Sequence, residues 1–191
     1  KDIWNMWIKI AVAVLPAVVL GQLFDDILEE KFFNPFTVSL MLIIYGVILI
    51  IIESSKKVKV KTKTIQELSF KTAVGIGFFQ CLAMIPGTSR SAATIIGGVL
   101  LGLERVLATE FSFFLAIPTM FGASFYKIMK SGFNLSGYEI FLIALGFVLS
   151  FIISYIVIKL FLDYIKKHDF KVFGYYRIIL GIVMLAFMFM T

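Results

Sequence analysis

Residues 32–52 and 140–158 contain no charged side chain. At about 1.5 Å of rise per helical residue, each stretch is long enough to cross a hydrocarbon core of roughly 30 Å. In a bilayer every backbone N–H and C=O needs a protein partner, which leaves only helices and closed barrels as spanning structures. These runs are continuously apolar and lack the alternation of a barrel strand, so they read as helices. With 60% hydrophobic and only 16% charged residues, the chain has too little polar surface for a water-soluble domain.

Three weaker spans join them at 8–24, 104–129 and 173–190, each with its few charges near an end where they reach the headgroups. The reading is thus an all-α integral membrane protein with about five transmembrane helices, forming one membrane domain over residues 1–191. The first span contains Pro16 and Gly21 and no small-residue cleavage site, which favours a membrane helix over a signal peptide. The chain does not open on Met, so an N-terminal part of the protein is expected before residue 1. A single cysteine, Cys81, and a single histidine, His168, exclude a disulfide framework and a histidine-based metal cluster within these residues.

Charge sets the orientation. "SSKKVKVKTKT" concentrates lysines between the second span and residue 71, and lysine-rich loops stay cytoplasmic. The run reads as a solvated topology signal at 54–71, with no nucleic acid as partner. Alternation then places "DDILEEK" outside and "DYIKKHDFK" inside. Of the 18 Lys and Arg residues, Lys31, Lys127 and Lys130 fall outside. Arg90 belongs to neither face, and the rest, Arg177 among them, fall inside.

This layout requires the chain between Lys71 and Arg105 to start and finish on one side. Residues 73–85 and 91–103 are each about 20 Å long as helix, too short to span and suited to a re-entrant helix-loop-helix hairpin over 72–103. Its tip is "MIPGTSRSAAT". Pro86 ends the first half-helix, Gly87 permits a tight turn, and Thr88 or Ser89 caps the second half-helix. Arg90 then lies deep in the membrane, where an unpaired guanidinium costs about 2.5–3.5 kcal/mol on insertion scales, so it should meet an anion or line a wet cavity. A helix N-terminus, a guanidinium fork and the hydroxyls of Thr88, Ser89, Ser91 and Thr94 together suit phosphate oxygens. Ser91 and Thr94, three apart, share a helix face. Gln80 is a further candidate. The bland alternative is a structural break with Arg90 snorkelling or paired to a carboxylate such as Glu110.

Residues 77–123, "GFFQCLAMIPGTSRSAATIIGGVLLGLERVLATEFSFFLAIPTMFGA", closely resemble the second signature region of the BacA-type undecaprenyl-diphosphate phosphatases, and "YYRIILG" at 175–181 reinforces the likeness. The resemblance implies an inverted-repeat protein of the bacterial inner membrane. Residues 1–53 would be the last two helices of the first repeat, and 72–191 the second repeat. It also implies hydrolysis of undecaprenyl diphosphate for cell-wall synthesis, a link to bacitracin resistance, and a divalent cation, Mg2+ or Ca2+.

Carried over by residue, Arg90 and Ser89 would be catalytic, while Gly87, Thr88, Ser91, Thr94 and Gln80 would bind substrate. Ala92 stands where the family usually has glycine. The family's first signature, paired glutamates followed by Pro-Val-Ser-Ser-Thr-Gly-His, does not occur in the sequence, so metal ligands are unknown and the chain would correspond to the C-terminal two-thirds of an enzyme. A homodimer is left open. The acid-phosphatase-like lipid phosphatases need a histidine six residues after the arginine, where this chain has Ile96. A transporter or flippase of an anionic lipid is the alternative from another class, because half-helices meeting around a charged site also mark secondary transport.

Overall fold

The computed structural model describes residues 2–55, 59–131 and 136–190. Lys1, Lys56, Lys57 and the side chains of Asp25, Asp26 and Glu29, on which part of the charge reading rests, lie outside the described residues. The described residues form, in order, seven α-helices: α1 Asp2–Phe32, α2 Pro35–Ser54, α3 Phe70–Cys81, α4 Arg90–Leu100, α5 Arg105–Ser131, α6 Gly137–Lys167 and α7 Lys171–Met190. A 3-10 turn, Leu82–Met84, extends α3. Among the described residues there is no β-strand beyond one isolated bridge, Thr62 to Leu103. The protein is an all-α integral membrane protein, with five helices long and apolar enough to cross a bilayer, namely α1, α2, α5, α6 and α7.

The remaining two helices are the short ones the sequence predicts. α3 begins on Ser69, whose Oγ accepts from the Thr72 amide at 3.1 Å. It ends where Pro86 can no longer continue a helix. α4 stops before Gly102, which takes φ +94°, a conformation that favours glycine. There the Lys61 and Thr62 amides donate to the Gly102 carbonyl at 2.8 and 3.1 Å, and the Glu104 amide donates to the Thr62 carbonyl at 2.9 Å. The basic loop is therefore stitched to the end of α4, which puts both feet of the α3–α4 hairpin at one end of the molecule. In this loop the Glu67 carboxylate accepts from the Lys63 and Thr64 amides. Those bonds, the Lys63 amide first, hold it below the usual carboxylate range.

Two close helix contacts frame the hairpin. α2 and α7 pack so tightly that a Cβ on Gly46 would lie 2.7 Å from the Gly174 carbonyl oxygen, and one on Gly181 2.7 Å from that of Ser39. The seven-residue spacing on both helices, run in opposite directions, keeps small residues along the seam, the usual way membrane helices approach. α3 lies against α1, where a Cβ on Gly77 would collide with the Ala13 carbonyl. Lys9 of α1, 3% exposed, donates to the Ile65 and Gln66 carbonyls at 2.9 and 3.1 Å, fixing the loop that leads into α3. Residues 136–160 are exposed throughout. α6 joins the bundle near its C-terminal end, where Phe161 meets Phe113 and Phe173 edge to face.

Candidate functional site at the hairpin tip

Residues 85–89 turn the chain from α3 into α4. Gly87 has φ +89° and Ser89, unusually for a residue with a side chain, φ +67°. Gly87 is seated on α2, where a Cβ would lie 2.5 Å from the Val38 carbonyl oxygen, so both its dihedral and its surroundings exclude a larger residue. Of the two predicted caps, Ser89 takes the position, with its Oγ accepting from the Ala92 amide at 3.4 Å. Ser89 Oγ and Ser91 Oγ are 3.2 Å apart, so two of the predicted hydroxyls form one polar group at the start of α4.

Arg90 is the first residue of α4 and is half-buried. Its Nη1 donates to the Ser112 carbonyl of α5 at 3.3 Å. Among the described residues no carboxylate, Glu110 included, lies within ion-pair distance of it. Among the described residues the carboxylate branch of the bland alternative, Arg90 paired to Glu110, is therefore not seen.

Thr94 is placed differently from the sequence expectation that it faces a ligand beside Ser91. It is 1% exposed, and its Oγ1 donates back to the Arg90 and Ser91 carbonyls and shares a 2.6 Å bond with Ser112 Oγ. A helical threonine back-bonds in this way when its hydroxyl turns along its own helix. Its hydroxyl ties α4 to α5. Thr88 is fully buried; its Oγ1 has no hydrogen-bond partner of good geometry among the described residues and lies by Tyr45 of α2. Gln80 is 3% exposed, with Oε1 accepting from Thr119 Oγ1 at 3.5 Å and a buried Nε2 that has no partner among the described residues.

Arg177, counted from the sequence with the inner-face cations, has a specific partner in the fold. Its Nη2 reaches the tip and donates to the carbonyls of Gly87 and Thr88 at 2.7 and 3.0 Å. It too has no carboxylate within ion-pair distance among the described residues. Two arginines therefore converge on one turn. A cavity of about 240 Å³ lies beside the turn, lined by Ser89, Ser91 and Arg177 and walled by Phe161, Phe173 and Tyr176 among others, while the Arg90 side chain reaches α5 instead of lining it.

Cationic groups, serine hydroxyls and the free amides of a helix start can together bind an oxyanion, and the aromatic wall suits an apolar tail. Among the described side chains no three His, Cys, Asp or Glu are grouped to hold a metal, and the tip itself is positive.

The family model described as "Bacitracin resistance protein BacA" matches residues 1–183. The chain belongs to this family. It is 54% identical to Undecaprenyl-diphosphatase 1 of Clostridioides difficile (strain 630), over 100% of this chain and 69% of that relative. It is 51% identical to the undecaprenyl-diphosphatase of Enterococcus faecalis, over 97% of this chain and 67% of that protein. The undecaprenyl-diphosphatase of Fusobacterium nucleatum subsp. nucleatum is 54% identical, over 97% and 71%.

Proposed function

We propose that this chain carries the phosphate-gripping part of an undecaprenyl-diphosphate phosphatase. The enzyme hydrolyses undecaprenyl diphosphate to undecaprenyl phosphate and inorganic phosphate, and so recycles the carrier lipid for the cell wall. The observation that carries this reading is Arg90, unneutralised among the described residues, at the first position of α4 and flanked in the chain by Ser89 and Ser91, whose hydroxyls pair at the same helix start. Family membership supports it.

In the reaction, water adds at the terminal phosphorus and the bridging P–O bond breaks, leaving the lipid monophosphate. Arg90 and the α4 N-terminus balance the charge on the phosphoryl oxygens, most strongly where that charge is greatest, in the transition state. Ser89 and Ser91 orient the phosphate, and Gly87 lets the turn that carries them seat closely on α2. Thr88, Thr94 and Gln80 hold the turn and its flanking helices. Activation of the attacking water, and any Mg2+ or Ca2+, falls to groups outside the described residues.

The hairpin is re-entrant in the bacterial inner membrane, with the 54–71 loop cytoplasmic. The position of both hairpin feet beside that loop supports this arrangement. α1 and α2 then close a first repeat, and 72–191 forms the second. The test is Arg90→Ala in the full-length protein in detergent. Phosphate release from the lipid diphosphate should fall by about three orders of magnitude with the thermal midpoint held, whereas near-normal release would overturn the assignment.

A further inference from the structure

We propose that Arg177 is a positioning residue that makes the hairpin tip able to receive an anion by drawing two backbone carbonyls out of its way. This rests on the functional reading above. The carbonyls of Gly87 and Thr88 belong to a turn that cannot use them internally. Among the described residues no backbone amide bonds to either, while Thr88 and Ala93 donate to the flanking carbonyls of Ile85 and Ser89. Left free, two carbonyl oxygens would present negative dipole ends at the same turn where Ser89 and Ser91 line the cavity.

Arg177 Nη2 takes both, at 2.7 and 3.0 Å. A trans peptide directs its N–H opposite to its C=O, so holding the Thr88 carbonyl on Arg177 also fixes the direction of the Ser89 amide. The same contact restrains Ser89 in its left-handed conformation, φ +67°, which a residue with a Cβ leaves when nothing holds it.

The guanidinium is well placed to act as a fixed brace. Its stem sits on the tightest part of the α2–α7 seam, since a Cβ on Gly46 would lie 3.3 Å from Arg177 Cβ and 2.7 Å from the Gly174 carbonyl oxygen. The tip is therefore held between Val38 of α2 on one side and Arg177 of α7 on the other. A single ammonium in place of the fork reaches the carbonyls from one point only, so lysine retains charge with less geometric control.

Steady-state phosphate release by the full-length protein in detergent tests this. Arg177→Met should raise KM for the lipid diphosphate by about tenfold and lower kcat by a further factor of about ten, on the scale of one lost preorganised contact. Arg177→Lys should recover at least about tenfold of kcat/KM. A role confined to folding would lower kcat with the active fraction and leave KM where it was. Arg177→Met with unchanged KM, or Arg177→Lys no better than Arg177→Met, overturns the proposal. If Arg177→Met gives no monodisperse protein, Arg177→Gln, which keeps a donor without the charge, is read by the same criteria. Failure of the unsubstituted protein to release phosphate would instead sink the functional reading.

Discussion

Ser112 meets α4 twice, through its carbonyl, which accepts from Arg90 Nη1 at 3.3 Å, and through its hydroxyl, which lies 2.6 Å from Thr94 Oγ1. Arg90 and Thr94 are one turn apart on α4, and Ser112 is fully buried in α5. The turn that carries the guanidinium is thereby locked to a spanning helix, so Arg90 is aimed by α5 as much as by its own helix.

Removing that lock should cost stability first and activity second. Ser112→Ala leaves Thr94 bonded to the Arg90 and Ser91 carbonyls, so the expected loss is about 1 kcal/mol, or roughly 2–4 °C in the thermal midpoint. Thr94→Val should cost a similar amount. The double variant should lose less than the sum, by a coupling of at least about 0.5 kcal/mol. Melting curves of the four proteins in one detergent check this, and strict additivity would mean that the 2.6 Å contact contributes nothing.

Ser89 offers a test in which two substitutions move stability in opposite directions. Its φ of +67° costs about 1–2 kcal/mol for a residue with a Cβ, while its hydroxyl caps α4. Ser89→Ala keeps the strain and loses the cap, so it should destabilise by about 1 kcal/mol. Ser89→Gly loses the cap at a cost of only a few tenths and relieves the strain, so it should melt at or above the parent. Both should lower phosphate release, because both lose a hydroxyl from the cavity. Parallel thermal and activity measurements separate the two effects, and a Ser89→Gly protein with full activity would remove the hydroxyl from the mechanism.

The spans and the hairpin were legible in the sequence because each is a local property. Length and the absence of charge mark α2 and α6, shortness marks α3 and α4, and Pro86, Gly87 and Ser89 mark the turn between them by their backbone preferences. Arg177 was not legible. It stands seven residues into α7 behind a basic stretch, and nothing local distinguishes an arginine that reaches headgroups from one that reaches a carbonyl 90 residues away. The partner of Thr94 was not legible for a related reason. Its spacing from Ser91 gives a shared face, but the partner on that face is Ser112, supplied by a different helix. Buried Lys9 likewise carries an ordinary inner-end charge in the sequence, and only the fold reveals its bonds to Ile65 and Gln66.

The proposed orientation has its own test. Lys61 and Lys63 are exposed on the loop stitched to the end of α4. Lys63→Cys in a Cys81→Ser background should react with a membrane-impermeant maleimide in inside-out vesicles and be protected in intact cells. Labelling from the outside of intact cells would invert the topology and place the hairpin feet on the outer face.

The α2–α7 seam predicts opposite outcomes for one substitution at two glycines. A Cβ on Gly174 would lie 2.8 Å from the Gly46 carbonyl oxygen and 2.7 Å from Ile50 Cγ1, whereas one on Gly146 of α6 would meet nothing within 4 Å. Side chains can rotate away but a helix carbonyl cannot, so Gly174→Ala has to push α7 off α2, at an overpacking cost of about 1–3 kcal/mol. Gly146→Ala gains only the helix propensity of alanine and should be neutral or stabilising by up to about 1 kcal/mol. Arg177 lies one turn beyond Gly174, so displacing α7 also lengthens the guanidinium contacts to the Gly87 and Thr88 carbonyls. Gly174→Ala should therefore raise KM for the lipid diphosphate even at temperatures well below its melting midpoint, and Gly146→Ala should leave KM unchanged. Melting curves and steady-state phosphate release on the two variants read both effects. A Gly174→Ala protein with parental midpoint and parental KM would mean that the seam does not set the position of Arg177.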